Sequence, residues 1–304
     1  MTDTIIESIK EIIGKGVLLI NEPMSKHTTF KIGGTADILI EPGSAENLLD
    51  ILKLLKENNI PFFVMGNGSN LLVADSGIRG VVIKISNSMS AANVDGEYIY
   101  AECGIKLSRL AGIAQSAAIA GLEFASGIPG TLGGALFMNA GAYGGEMKDI
   151  VKSVTYLDIE SGEIKTISGD ECKFGYRHSI FSETDAVIIS ACLKLSNGNA
   201  EEIRAIMNEL AAKRNEKQPV DKPSAGSTFK RPEGYFAGTM IQDCGLKGYK
   251  IGGAEVSQKH AGFIINAGGA TAKDVRDLIE YVRDTVEDKY SVRLEPEVRF
   301  VGEF

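Results

Sequence analysis

The chain has 304 residues, enough for about two or three compact domains around a large core. Its hydrophobic fraction of 44% and charged fraction of 24% fit a globular protein in water. A net charge of −8 excludes nucleic acid or an anionic membrane as a general partner, and no run approaches the ~18 apolar residues needed to cross a bilayer. Cys103, Cys172, Cys192 and Cys244 show no C-x-x-C spacing, and His27, His178 and His260 are equally scattered. Reduced thiols and no metal site are expected. The start, Met1-Thr2-Asp3-Thr4, lacks the basic region of a signal peptide, so a cytoplasmic protein is expected.

Ile5, Ile6, Ile9, Ile12 and Ile13 fall at helical spacing. A strand is predicted at 37–41. Ser44 is placed to cap a helix running to about Asn58, with Leu48, Ile51, Leu52 and Leu55 on its inner face. Short strands follow at 62–65, 71–73 and 81–83, and Asp95-Gly96 marks a hairpin. A small-residue helix is predicted over 107–120, ending at Gly121. Strands at 154–157 and 164–167 flank Ser161-Gly162, and another covers 186–195. A helix is predicted over 201–216, then Pro219 and Pro223 break the chain. Asn197-Gly198-Asn199 suggests a domain boundary near 196–200. In the last part Thr271 and Asp274 resemble a capping box, with Val275, Leu278, Ile279, Val282 and Val286 on one helix face. A final strand is predicted over 292–301, its alternating charges at Glu295, Glu297 and Arg299 kept from the core.

Two glycine-rich segments stand out. Gly121 to Gly145 holds eight glycines and one charged side chain, Glu123. Such density costs chain entropy and is usually compensated by sharp turns or by a close approach of backbone to a ligand. Tight turns in an ordinary core are the alternative. The second segment, Gly66-Asn67-Gly68-Ser69-Asn70, lies between two apolar strands, and its main-chain amides can form an anion nest suited to a pyrophosphate. A Rossmann fingerprint would need glycine at Leu71 and a helix after the loop, and the P-loop pattern is absent. The loop therefore belongs to another dinucleotide fold.

Between Lys213 and Arg231 there are six basic residues against two acids, which suits an anionic ligand such as a diphosphate or, equally, a solvated surface. Arg177, among Phe174, Tyr176 and His178, would need an anionic partner if turned inward; a structural ion pair is the alternative. Glu297 beside Pro296 carries the same ambiguity.

Seven motifs then make the chain resemble the bacterial UDP-N-acetylenolpyruvoylglucosamine reductases. They are Thr28-Thr29-Phe30-Lys31-Ile32-Gly33-Gly34, Met65-Gly66-Asn67-Gly68-Ser69-Asn70-Leu71, Ser126-Gly127-Ile128-Pro129-Gly130-Thr131-Leu132-Gly133-Gly134, Asn139-Ala140-Gly141-Ala142-Tyr143-Gly144, Gly175-Tyr176-Arg177, Ser224-Ala225-Gly226-Ser227 and Glu295-Pro296-Glu297-Val298-Arg299. They occur in family order and cover about 26–302.

The resemblance implies an α+β protein. A two-lobed FAD-binding domain of the vanillyl-alcohol-oxidase or p-cresol-methylhydroxylase type would span 28–195, with lobes of about 28–85 and 86–195. An α+β substrate-binding domain would span 200–304, with 1–27 as a lead-in. It implies that residues 65–71 hold the pyrophosphate of FAD, that Gly127, Pro129, Gly130, Thr131, Gly133 and Gly134 lie along the flavin, and that Asn139 and Gly141 complete the cofactor site. The glycine loops contain no histidine, so FAD is expected to bind non-covalently.

The implied reaction reduces UDP-N-acetylglucosamine enolpyruvate with NADPH. Hydride from flavin N5 reaches the vinyl carbon, and Ser227 protonates its neighbour. Arg177 and Glu297 are the companion catalytic positions, and Arg177 could stabilise the developing enolate. Lys230, Arg231 and Arg299 are candidates for the substrate's anionic groups, although Arg231 stands where many members have asparagine. Only about thirty residues separate Leu195 from Ser227, so the chain looks like the shorter, second type, without the insertion that carries a substrate-closing tyrosine. A monomer is expected. The alternatives are an FAD oxidase of a small alcohol and a nucleotide-sugar binding protein without catalysis.

Overall fold

The computed structural model describes residues 3–304, so Met1 and Thr2 of the N-terminal tetrapeptide lie outside the described residues. The contacts within the chain group into two units. Among the described residues, one comprises 3–20, 38–67 and 80–212; the other comprises 21–37, 68–79 and 213–304. The break between contact groups in the second half falls inside the helix Ala200–Lys217. Two earlier segments join the C-terminal part for a packing reason. Phe30, Ile32 and Leu72 are buried in one hydrophobic cluster with Phe229, Ile241, Ile264, Leu278 and Val282.

In the first unit, helix Asp3–Ile12 precedes helix Ala45–Glu57, and both contribute to one core through Ile9, Leu48, Ile51, Leu52 and Leu55. Ser44 caps the second helix as expected: its hydroxyl accepts from the Asn47 amide at 3.2 Å. Strand Phe62–Met65 runs parallel to strand Ile78–Lys84, pairing Phe62 with Val81. They belong to a four-stranded sheet that also contains Val17–Pro23 and Thr35–Glu41.

A five-stranded antiparallel sheet follows, in the order Ile164–Ser168, Val151–Asp158, Ala186–Lys194, Tyr98–Glu102, Ala92–Asp95. Asp95 pairs with Tyr98, so the expected hairpin closes through Gly96 and Glu97, with Gly96 at φ 57°.

Helix Leu107–Ser116 is shorter than predicted. Ala118 takes a left-handed backbone conformation, φ 55°, and Ile119–Ala120 then pairs with Ser196–Asn197. A long-range strand pairing thus stops the helix before Gly121.

The second unit packs helix Ala272–Tyr290 on a three-stranded sheet of Lys250–Ile251, Ala254–Val256 and Ile264–Asn266. The capping box is present: the Thr271 hydroxyl accepts from the Asp274 amide, and the Asp274 carboxylate accepts from the Thr271 amide, each at 3.0 Å. Val275, Leu278, Ile279, Val282 and Val286 are all buried. The final strand covers only Arg299–Val301 and pairs in parallel with Leu71–Val73. Pro296 has no amide hydrogen to give a ladder, and at 295–297 the chain makes an isolated bridge from Pro296 to Phe229.

Asp75 adds a second cap to the long helix. Its two carboxylate oxygens accept from the amides of Ala272 (2.8 Å) and Lys273 (3.0 Å), which no helical carbonyl can satisfy. Asp75→Ala is expected to lower stability by about 0.5–2 kcal/mol, read as a reduced urea midpoint at unchanged slope. An unchanged midpoint would show that water replaces the cap at no cost. Among the described residues no helix is long and apolar enough to cross a membrane.

Candidate active site

The two glycine segments meet within the first unit. The loop after strand Phe62–Met65 turns at Gly66 and Asn67 without opening a helix. The Asn67 side-chain Nδ2 donates to the Pro129 carbonyl at 2.6 Å. A Cβ added at Gly66 would lie 2.2 Å from the Thr131 hydroxyl, closer than any real side chain tolerates. Residues 103–107 hold the other flank of the second segment. Leu107 N donates to Gly130 O (3.0 Å), Leu132 N to Ile105 O (2.9 Å) and Gly133 N to Cys103 O (2.8 Å). A Cβ on Gly133 would sit 3.0 Å from that of Cys103. Burial pushes the Cys103 thiol up to about 12, so it is neutral at physiological pH and serves as packing.

A cavity of about 120 Å³ opens beside this junction, lined among others by Gly66, Asn67, Thr131, Ser86, Lys84 and Lys106. Glu41 lines it as well and pairs with Lys84 at 3.0 Å, while Lys106 is a second lysine in the lining. Gly104 lines it too: a Cβ there would meet the Ser86 carbonyl at 2.1 Å. Exposed backbone, a lining with one more lysine than carboxylate and no bulky side chain at the junction suit part of an anionic dinucleotide such as FAD. Lys84, Ser86, Gly104 and Lys106 belong to no motif in the sequence. The glycine in Cys103-Gly104-Ile105 was the one available signal.

The remaining cofactor candidates divide by exposure. Gly127, Pro129 and Gly134 are exposed; Ser69, Asn70, Gly130 and Gly141 are half-buried; Met65, Gly68, Leu71 and Thr131 are buried. Gly68 is left-handed at φ 63°.

Asn139 departs from the expectation of a ligand contact. It is fully buried, and its carboxamide is committed inside the protein. Nδ2 donates to Glu146 Oε2 and to Gly175 O, each at 2.8 Å, while Oδ1 accepts from Lys148 N at 2.9 Å. Burial pushes the Glu146 carboxyl up, but Lys148, Asn139 and the charge of Arg177 outweigh it, and the group sits below the usual carboxylate range.

Arg177 lies in the same unit, half-buried, with Nη2 donating to Gly141 O at 3.4 Å and its guanidinium 5.2 Å from the Tyr176 ring centre.

The other two catalytic candidates lie in the second unit, brought close by backbone pairing. Glu297 N donates to Thr228 O (2.8 Å), and Lys230 N to Glu295 O (2.8 Å), so Ser227 leads directly into the segment paired with 295–297. Asn70 Nδ2 donates to Glu297 O (3.0 Å), and Arg299 N to Asn70 O (2.9 Å). The Thr29 hydroxyl holds the Ser224 carbonyl at 2.7 Å. Gly226 takes φ 80°, which a glycine adopts without strain, and Ser227 is exposed.

The three basic candidates differ. Lys230 pairs with Glu295 at 3.0 Å on the surface. Arg231 stacks over Phe236 at 4.0 Å, and Arg299 keeps an exposed surface while partial desolvation lowers its proton affinity.

Residues 36–168 match the FAD binding domain, and residues 218–301 match the C-terminal domain of UDP-N-acetylenolpyruvoylglucosamine reductase. A UDP-N-acetylenolpyruvoylglucosamine reductase of Caldanaerobacter subterraneus subsp. tengcongensis is 54% identical over 303 residues, covering all of both chains. This chain belongs to the UDP-N-acetylenolpyruvoylglucosamine reductase family. The reductase of Clostridioides difficile is 50% identical, with 97% of each chain covered. The crystal structure of UDP-N-acetylenolpyruvylglucosamine reductase from Thermus caldophilus superposes with a TM-score of 0.81 at 33% identity, over 95% of this chain and 99% of that one. Members of this reductase family carry FAD, and the α+β organisation implied by the motifs, an FAD-binding domain followed by the family's C-terminal domain, stands.

Proposed function

We propose that this chain is the NADPH-dependent flavoenzyme that reduces UDP-N-acetylglucosamine enolpyruvate to UDP-N-acetylmuramate in peptidoglycan precursor synthesis, acting as a monomer in the cytoplasm. The reading rests on the full-length relationship to reductases of that name. We assign FAD to 28–195, in lobes of about 28–85 and 86–195, and the sugar nucleotide to 200–304.

The main-chain amides of the 66–71 loop hold the pyrophosphate of FAD without a covalent bond, the 127–134 segment lies along the flavin, and the cavity beside Gly66 takes part of the diphosphate. Bound FAD supplies hydride transfer from NADPH to the enolpyruvyl double bond. The protein's own residues handle charge and the proton. Arg177 draws the substrate carboxylate and steadies the negative charge that develops on it. Ser227 Oγ donates the proton to the carbon next to that carboxylate. In its protonated form Glu297 donates a hydrogen bond to the same developing charge. Lys230, Arg231 and Arg299 attract the diphosphate and carboxylate groups.

A visible absorption spectrum of the purified protein tests the whole reading. Flavin bands are expected, bleached by NADPH and restored anaerobically by the enolpyruvyl sugar nucleotide. Bands that only oxygen restores, with peroxide released from an alcohol, would point to an oxidase. A protein that stays colourless after incubation with FAD would remove the redox function.

A further inference from the structure

The turn that carries Arg177 is closed by two backbone hydrogen bonds, Gly175 N to His178 O (3.0 Å) and His178 N to Gly175 O (3.3 Å). Tyr176 and Arg177 are its two central residues. Arg177 occupies the second central position at φ 54°, where such turns ordinarily place glycine or asparagine. A left-handed arginine is strained, and it persists only where its surroundings over-determine it. The Gly175 carbonyl that closes the turn also accepts from Asn139 Nδ2, at 2.8 Å.

Asn139 is itself rigidly placed. It is left-handed at φ 44°, fully buried, and tied by its other two hydrogen bonds to Glu146 and to the Lys148 amide. Glu146 is fixed in turn: its amide donates to Asp149 Oδ2 at 2.8 Å, and Lys148 Nζ lies 3.0 Å from its carboxylate. Gly141 leaves room for it, since a Cβ there would meet Glu146 Cγ at 2.7 Å. The hairpin 141–146, whose turn residues Tyr143 and Gly144 both have positive φ, thus holds the Arg177 turn at two points. Asn139, at its base, grips Gly175, and the Gly141 carbonyl meets the guanidinium.

We propose that Asn139 is the positioning residue for Arg177: its carboxamide clamps the Gly175 carbonyl and so fixes the strained turn that sets the guanidinium in place. This rests on the assignment of Arg177 to the substrate's developing charge. Asn139 touches neither substrate nor cofactor; it acts through Arg177 and leaves hydride uptake from NADPH alone.

The holoenzyme tests this by stopped flow, which separates reduction of the flavin by NADPH from its reoxidation by the enolpyruvyl sugar nucleotide. Asn139→Ala is expected to keep its flavin spectrum and its reduction rate within about twofold, while reoxidation slows by about 10- to 100-fold, as for removal of one oriented charge-stabilising group. In an Arg177→Ala background, Asn139→Ala should cause no further slowing, because the group it positions is gone. If Asn139→Ala does not fold, Glu146→Ala, at a partly exposed site, removes one anchor of the carboxamide. It should slow reoxidation several-fold with the same non-additivity.

Unchanged reoxidation in Arg177→Ala would overturn the assignment of Arg177 itself. A slow Arg177→Ala beside a normal Asn139→Ala, a normal Glu146→Ala, or effects that multiply in the double variant, would overturn the positioning role and leave Arg177 intact.

Discussion

Gly66→Val is expected to purify with little or no flavin and to bind added FAD at least about tenfold more weakly than the parent. The reason is steric. The first carbon of any side chain at this position would lie 2.2 Å from the Thr131 hydroxyl. Thr131 cannot readily retreat: it is 3% exposed and pairs with Lys106 across an isolated bridge. The loop must therefore move away from 129–131, which breaks the 2.6 Å bond from Asn67 to Pro129 and distorts the cavity floor. Overpacking a close junction costs about 1–3 kcal/mol, and each 1.4 kcal/mol is tenfold in affinity.

The damage should stay local. Strand Phe62–Met65 is held by its pairing with Ile78–Lys84 and by the helix that buries Leu48 and Leu52, none of which the valine touches. Flavin content from the ratio of visible to ultraviolet absorbance, a fluorescence titration with FAD, and a thermal melt measure the three parts. Full occupancy with parental affinity would mean that this junction does not carry the cofactor's phosphates. Gly68→Val probes the next turn differently, since it forces a β-branched residue to φ 63°.

Whatever could be read from the sequence was local. Ser44 caps its helix, Thr271 and Asp274 form their box, and the apolar faces 48–55 and 275–286 are buried, because capping and 3.6-residue periodicity act over a few positions. The same holds for the glycine loop that opens no helix. Readings that depended on distant partners missed. Nothing in Ala117-Ala118-Ile119 announces that the helix must stop, since the cause is a pairing with Ser196–Asn197. Leu71–Val73 reads as a strand, but nothing along the chain names its partner, Arg299–Val301, more than two hundred residues on.

At the site, the motifs point to segments but not to the task of each side chain. Asn139 has the look of a ligand contact, a polar residue among glycines. Only coordinates reveal that its three hydrogen bonds all stay within the protein. Conversely, Lys84 and Lys106 look like ordinary surface lysines, because a cavity wall assembled from a strand end and a loop leaves no pattern along the chain.

Two adjacent hydroxyls, on Ser227 and Thr228, give the sharpest test of the chemistry. Thr228 is 1% exposed, and its Oγ1 accepts from the Ile264 amide at 2.9 Å. Its backbone amide donates to Gly262 O and its carbonyl accepts from Glu297 N, each at 2.8 Å. That hydroxyl is structural. Thr228→Val would leave a buried amide without a partner and lower stability by about 1–3 kcal/mol. Ser227 is exposed and follows Gly226, whose φ of 80° turns the chain outward without strain. Losing its oxygen should change stability by no more than about 0.5 kcal/mol.

Ser227→Ala is therefore expected to melt like the parent, bind FAD fully and accept hydride from NADPH at an unchanged rate. Turnover of the enolpyruvyl sugar nucleotide should fall by about 10²- to 10⁴-fold, the range that removal of a positioned proton donor costs. The loss should appear in kcat and in kcat/KM together, because the proton is transferred only as the new bond forms. Turnover at the parental rate would take Ser227 out of the reaction. A loss confined to KM would make the hydroxyl a binding contact and leave the donor to be sought among the groups that the 295–299 segment sets beside it.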